Sequence, residues 1–77
     1  MDDREFAARA DAALQQIEDD LAASQPDVDF ARVGDGVLEI VLDDGGKLIV
    51  NRHAAAQEIW VAARSGGFHF RWDGSAW

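Results

Sequence analysis

The run Ile17-Glu18-Asp19-Asp20-Leu21-Ala22-Ala23-Ser24-Gln25-Pro26-Asp27-Val28-Asp29-Phe30 holds the change of period that decides the fold. Upstream of Pro26, apolar residues recur every three or four positions. Phe6, Ala10, Ala13, Leu14, Ile17 and Leu21 form one stripe, the period of a helix with a single buried side. The spacing predicts a helix over 3–23. Asp2 and Glu5 open it with an Asp-x-x-Glu pattern resembling a capping box, and acids in the first turn suit the helix dipole. Ser24-Gln25-Pro26 closes it.

Downstream of Pro26 the period becomes two. Val28 and Phe30 alternate with Asp27, Asp29 and Ala31, and Gly34-Asp35-Gly36 turns the chain into a second strand over 37–43. Asp44-Gly45-Gly46 is a hairpin signal leading to a third strand over 47–52. The segment 53–57 connects to a fourth strand over 58–63. Ser65-Gly66-Gly67 turns into a fifth over 68–72, and Trp77 is placed to open a sixth. One helix followed by a strand meander reads as α+β: a two-layer α-β sandwich, with the N-terminal helix on a five- to six-stranded antiparallel sheet.

Alternation sorts the side chains. With Leu48, Val50, Ile59, Val61, Phe68, Phe70 and Trp72 toward the core, Asn51, Trp60, His69 and Arg71 share the exposed face. One helix, about 10–12 Å across, is too narrow to cover five strands. Either a further segment or a partner is expected over the rest.

Seventy-seven residues make one domain, 1–77. There is no cysteine, which removes disulfides, thiolate zinc sites and cysteine nucleophiles. No apolar run approaches the ~20 residues of a membrane span. Met1-Asp2-Asp3 is unlike a basic signal-peptide start, so a cytoplasmic protein is expected. Charge is polarised. Thirteen of the fifteen acids precede Gly45, against Arg4, Arg9 and Arg32, leaving that segment at −10, whereas the rest is +2. Such an acidic end attracts cations and basic proteins and repels nucleic acid and anionic membrane.

Several segments together resemble the frataxin family in its bacterial CyaY branch. They are Asp3-Arg4-Glu5-Phe6, Ile17-Glu18-Asp19-Asp20-Leu21, Asp27-Val28-Asp29 and Gly36-Val37-Leu38-Glu39-Ile40. Gly46-Lys47-Leu48-Ile49-Val50-Asn51-Arg52, Gln57-Glu58-Ile59-Trp60-Val61-Ala62, Gly66-Gly67-Phe68-His69-Phe70 and Asp73-Gly74 with Trp77 continue the match. The resemblance implies an α-β sandwich acting in iron–sulfur cluster assembly. It implies weak iron (Fe²⁺/Fe³⁺) binding by an acidic ridge on the first helix and strand, and docking on a cysteine desulfurase and its scaffold protein. It implies a monomer or an iron-dependent oligomer. Family members continue beyond the position of Trp77 with a further strand portion and a second helix, so a member incomplete at the C-terminus is expected. Ala22-Ala23 stands where relatives are often acidic, His53-Ala54-Ala55-Ala56 where they often carry Gln and Pro, and Glu58 where Gln is common.

The candidate sites follow. Asp11 and Glu18 point the same way on the helix but sit about 10.5 Å apart along the axis, too far for one ion whose metal–oxygen bonds are ~2.0–2.6 Å. From the residues alone the acids read as a solvated face. With the resemblance, Asp3, Asp11, Glu18, Asp19, Asp20, Asp27 and Asp29 read as a ridge for weak cation attraction, not a cage. Trp60 reads either as an exposed hot spot or, with a one-residue slip of register, as core. The resemblance favours a docking surface of Asn51, Arg52 and Trp60. His53 and His69 read as surface residues. Gly34-Asp35-Gly36 and Asp44-Gly45-Gly46 precede no helix, so they are turns and not phosphate loops. No nucleophile with a base at triad spacing is present, and no enzymatic activity is expected. The alternative is a structural remnant or a self-associating module whose sheet lacks cover.

Overall fold

The computed structural model describes residues 1–25 and 27–77; the helix-closing role read for Pro26 lies outside the described residues. Helix α1 runs Asp3–Ser24. Asp2 caps it: its Oδ1 accepts the Glu5 backbone N–H at 2.7 Å and its carbonyl accepts that of Phe6 at 2.9 Å. The capping box is only half made, because the Glu5 carboxylate accepts from Arg9 Nε at 3.0 Å instead of reaching back. The last turn carries no base.

Five strands follow: β1 Asp29–Gly34, β2 Val37–Val41, β3 Lys47–His53, β4 Glu58–Ala63 and β5 Gly66–Arg71. They form one antiparallel sheet in chain order. Every neighbour is joined by a short turn, which only antiparallel pairing allows. A β-bulge between Arg32 and Gly34 ends the regular β1–β2 ladder. No sixth strand forms among the described residues. Asp73 Oδ1 accepts the backbone N–H groups of Ser75 and Ala76, and this turn folds the tail back. Trp77 then packs edge-on against Phe6, with ring centroids 5.9 Å apart. Packing the partly buried indole against the core removes part of its large apolar surface from water.

The core joins the helix stripe to the sheet. Phe6, Ala10 and Leu14 meet Leu38, Ile40, Val50 and Ile59, all buried, with Ala13, Ile17, Leu21, Phe30, Leu48 and Val61 at its margin. The stripe and the inward faces of the central strands are those expected from the sequence. The outer strand is different. Phe68 and Phe70 project to the helix side, yet they are 51% and 41% exposed. Alternation sets the side a residue takes, whereas burial needs something opposite it. An apolar groove of about 550 Å³ therefore lies open between α1, β4, β5 and the tail, lined by residues that include Ile17, Ile59, Val61, Phe70, Trp72 and Trp77.

Candidate functional site

The register builds two rows on the sheet face away from α1. Asn51 pairs with Trp60, and Trp60 with His69; beside them His53 pairs with Glu58, and Glu58 with Arg71. The sequence pattern places His53 in the connector over 53–57, whereas it is the last residue of β3 and lies on this face. Its imidazole stacks on one side of the Trp60 indole at 3.8 Å and 8°, and His69 stacks on the other at 4.6 Å and 13°. His53 is held by its own turn, its Nδ1 accepting the Ala56 backbone N–H at 3.3 Å. That bond leaves the ring proton of neutral His53 on Nε2.

Glu58 ties the two rows together. Its Oε1 accepts from Trp60 Nε1 at 2.8 Å and its Oε2 from Arg71 Nε at 2.7 Å. His69 Nδ1 lies 3.5 Å from Oε1. The Arg71 hydrogen bond, and after it the Trp60 hydrogen bond, hold the Glu58 carboxyl below its ordinary value of 4.5. Next to the indole a trough of about 370 Å³ opens over Val37, Ile49, Ala62 and Gly67, where small residues leave room between larger ones. This face is amphipathic, with apolar floor, aromatic wall and charged rim, the composition of a protein-docking surface.

Arg52 does not belong to it. Asn51 and Trp60 are cross-strand partners, but Arg52 is the next residue along β3 and points to the helix side. Its Nη1 donates to Asp11 at 2.8 Å and its Nη2 to Asp35 at 3.0 Å, and its side chain is only 15% exposed. The expected trio of Asn51, Arg52 and Trp60 is thus divided between the two faces of the sheet. The resemblance groups the three, whereas the alternation of β3 sends Arg52 to the face opposite Asn51.

The acidic ridge is divided as well. Asp3 begins α1 and Asp19 and Asp20 lie near its end, about 24 Å away at 1.5 Å per residue. Asp11 is taken by Arg52 and Glu18 by Arg32. Asp19 accepts from Gln15 Nε2 at 3.0 Å and Asp20 from Gln16 Nε2 at 2.9 Å. Asp27 lies in the turn after the helix. Asp29 pairs with Val41, which puts its side chain on the sheet face opposite α1. Among the described residues no three His, Asp or Glu side chains converge closely enough to hold a metal ion. The carboxylates suit hard cations such as iron by chemistry, and their spacing makes a field instead of a cage. Among the described residues, no helix is long and apolar enough to cross a membrane.

The chain is similar to known proteins along its whole length. The family described as a frataxin-like domain matches residues 1–77. An iron-sulfur cluster assembly protein CyaY of Dechloromonas aromatica is 58% identical over 77 residues, spanning 100% of this chain and 73% of that protein. The protein of the same name from Bordetella petrii is 53% identical over 81 residues, with the same shares. The solved frataxin of Psychromonas ingrahamii superposes with a TM-score of 0.86 at 30% identity, covering 99% of this chain and 78% of that one. Helix, strand order and sequence agree: the chain belongs to the frataxin family, among its bacterial CyaY-type members.

Proposed function

We propose that this chain is a non-enzymatic, iron-responsive docking protein of iron–sulfur cluster assembly, working in the bacterial cytoplasm on a cysteine desulfurase and its scaffold protein. The observation that carries the reading is the separation of two surfaces. One is the acidic outer side of α1 with the turn after it, rich in Asp19, Asp20 and Asp27. The other is the Asn51–Trp60–His69 face across the sheet. The first supplies attraction and the second supplies shape.

Iron is cargo in this reading. Fe²⁺ or Fe³⁺ gathers in the field of Asp3, Asp11, Glu18, Asp19, Asp20, Asp27 and Asp29. At Asp11 and Glu18 it competes with Arg52 and Arg32, so binding is weak. The same field draws the basic surface of the desulfurase, and Trp60 with Asn51 fixes orientation against the partner. Attraction between unlike charges is screened by salt. The affinity for purified desulfurase, followed by calorimetry, is therefore expected to fall steadily as sodium chloride rises; an affinity that ignores salt sinks the reading.

The exposed Phe68 and Phe70 favour a second reading, a self-associating module. Sedimentation of the 77-residue chain separates the two. Association that strengthens with concentration and is lost in a Phe70→Ser variant supports the second reading, and a monomer at every concentration removes it.

A further inference from the structure

Glu58 is almost hidden on the docking face. Its side chain is 12% exposed, whereas those of His69 and Arg71, its neighbours on β5, are 56% and 75% exposed. A partner arriving on this face meets the indole, the imidazole and the guanidinium before it meets the carboxylate. Yet the carboxylate touches all three. It accepts the Trp60 Nε1–H, anchors Arg71 Nε, and neighbours His69 Nδ1. With the imidazoles of His53 and His69 on its two faces, the indole is held on both sides and at its edge.

We propose that Glu58 is a positioning residue for docking: it fixes the Trp60 indole, and with it His69 and Arg71, in the arrangement a partner protein receives. The inference rests on the docking reading of this face. Its physical basis is that freezing a side chain on binding costs affinity, and a side chain already fixed avoids that cost. A Trp in an open sheet otherwise samples several rotamers. The sequence places the acceptor two residues before the indole on the same strand, so the Glu58–Trp60 bond forms without help from another element.

The test uses the full 77-residue chain, ¹⁵N labelling, and purified desulfurase with its scaffold protein. In Glu58→Ala the Trp60 indole N–H resonance is expected to move and its exchange with water to accelerate, while the Trp72 and Trp77 indoles stay in place. Affinity for the partner complex is expected to fall roughly three- to tenfold. Glu58→Gln keeps an oxygen for Trp60 Nε1 and is expected to restore the resonance and most of the affinity. It also guards against a misfolded Ala variant, with the circular dichroism spectrum as control. An unmoved indole resonance in Glu58→Ala overturns the proposal. So does a freed indole with unchanged affinity while Trp60→Ala still weakens docking, and so does a Gln variant as weak as Ala. Full affinity in Trp60→Ala removes the docking reading itself and this proposal with it.

Discussion

Glu58 shows how one substituent organises its neighbours. Its carboxylate accepts from two donors, Trp60 Nε1 and Arg71 Nε, and lies beside His69 Nδ1 on an open sheet, where water would otherwise compete for each. The Arg71 and Trp60 hydrogen bonds favour the ionised form, so the folded-state pKa lies below the ordinary 4.5. The sign of the linkage follows: a depressed carboxyl contributes stability that is present above the unfolded value and is lost as pH falls through the folded one. Urea unfolding of the native chain and of Glu58→Gln is thus expected to differ at pH 5 and above, with the difference closing as pH drops below about 4.5. A gap that stays constant to pH 3 contradicts the assignment. The two imidazoles were visible in the sequence only as surface residues. Their stacking on Trp60 depends on strand register, which brings His69 opposite Trp60 and extends β3 as far as His53.

At the scale of elements, the β1–β2 hairpin links sheet to helix through one arginine. Gly36 sits at φ +73°, and a Cβ there would lie 2.8 Å from Arg52 Nε. The Gly36 carbonyl also accepts the Arg52 backbone N–H at 2.8 Å. Arg52 in turn spans Asp11 on α1 and Asp35 in the turn. Gly36→Ala is therefore expected to destabilise by at least about 1–2 kcal/mol, the cost of a left-handed backbone at a residue bearing Cβ. The displaced arginine frees Asp11 and Asp35 as well. Thermal unfolding measures the loss, and an unchanged midpoint refutes the close approach. The helix stripe, the turns at Gly34–Gly36 and Asp44–Gly46 and the central strand faces were legible because period and turn chemistry are local. The role of Arg52 was not, because its partners lie 41 and 17 positions away.

Across the whole molecule the decisive quantity is charge. A formal charge of −8 on 77 residues repels itself, and only some of the acids are paired with arginine. Screening relieves such repulsion within the chain and weakens attraction to a basic partner. Added sodium chloride is thus expected to raise the unfolding midpoint of the free chain while it lowers affinity for the desulfurase. A midpoint that falls over the same range contradicts the first half. By itself the sequence determined the order of elements, the buried stripe, the acidic first half and the amphipathic sheet, because hydrophobic period, turn residues and composition act over a few residues. Only the tertiary structure decided which acids are neutralised and that Arg52 leaves the Trp60 face. It alone decided that Trp77 plugs the core at Phe6, and that Glu58 with two imidazoles holds the indole. These depend on distances between residues remote in sequence, and those distances exist only once strand register and helix packing are set.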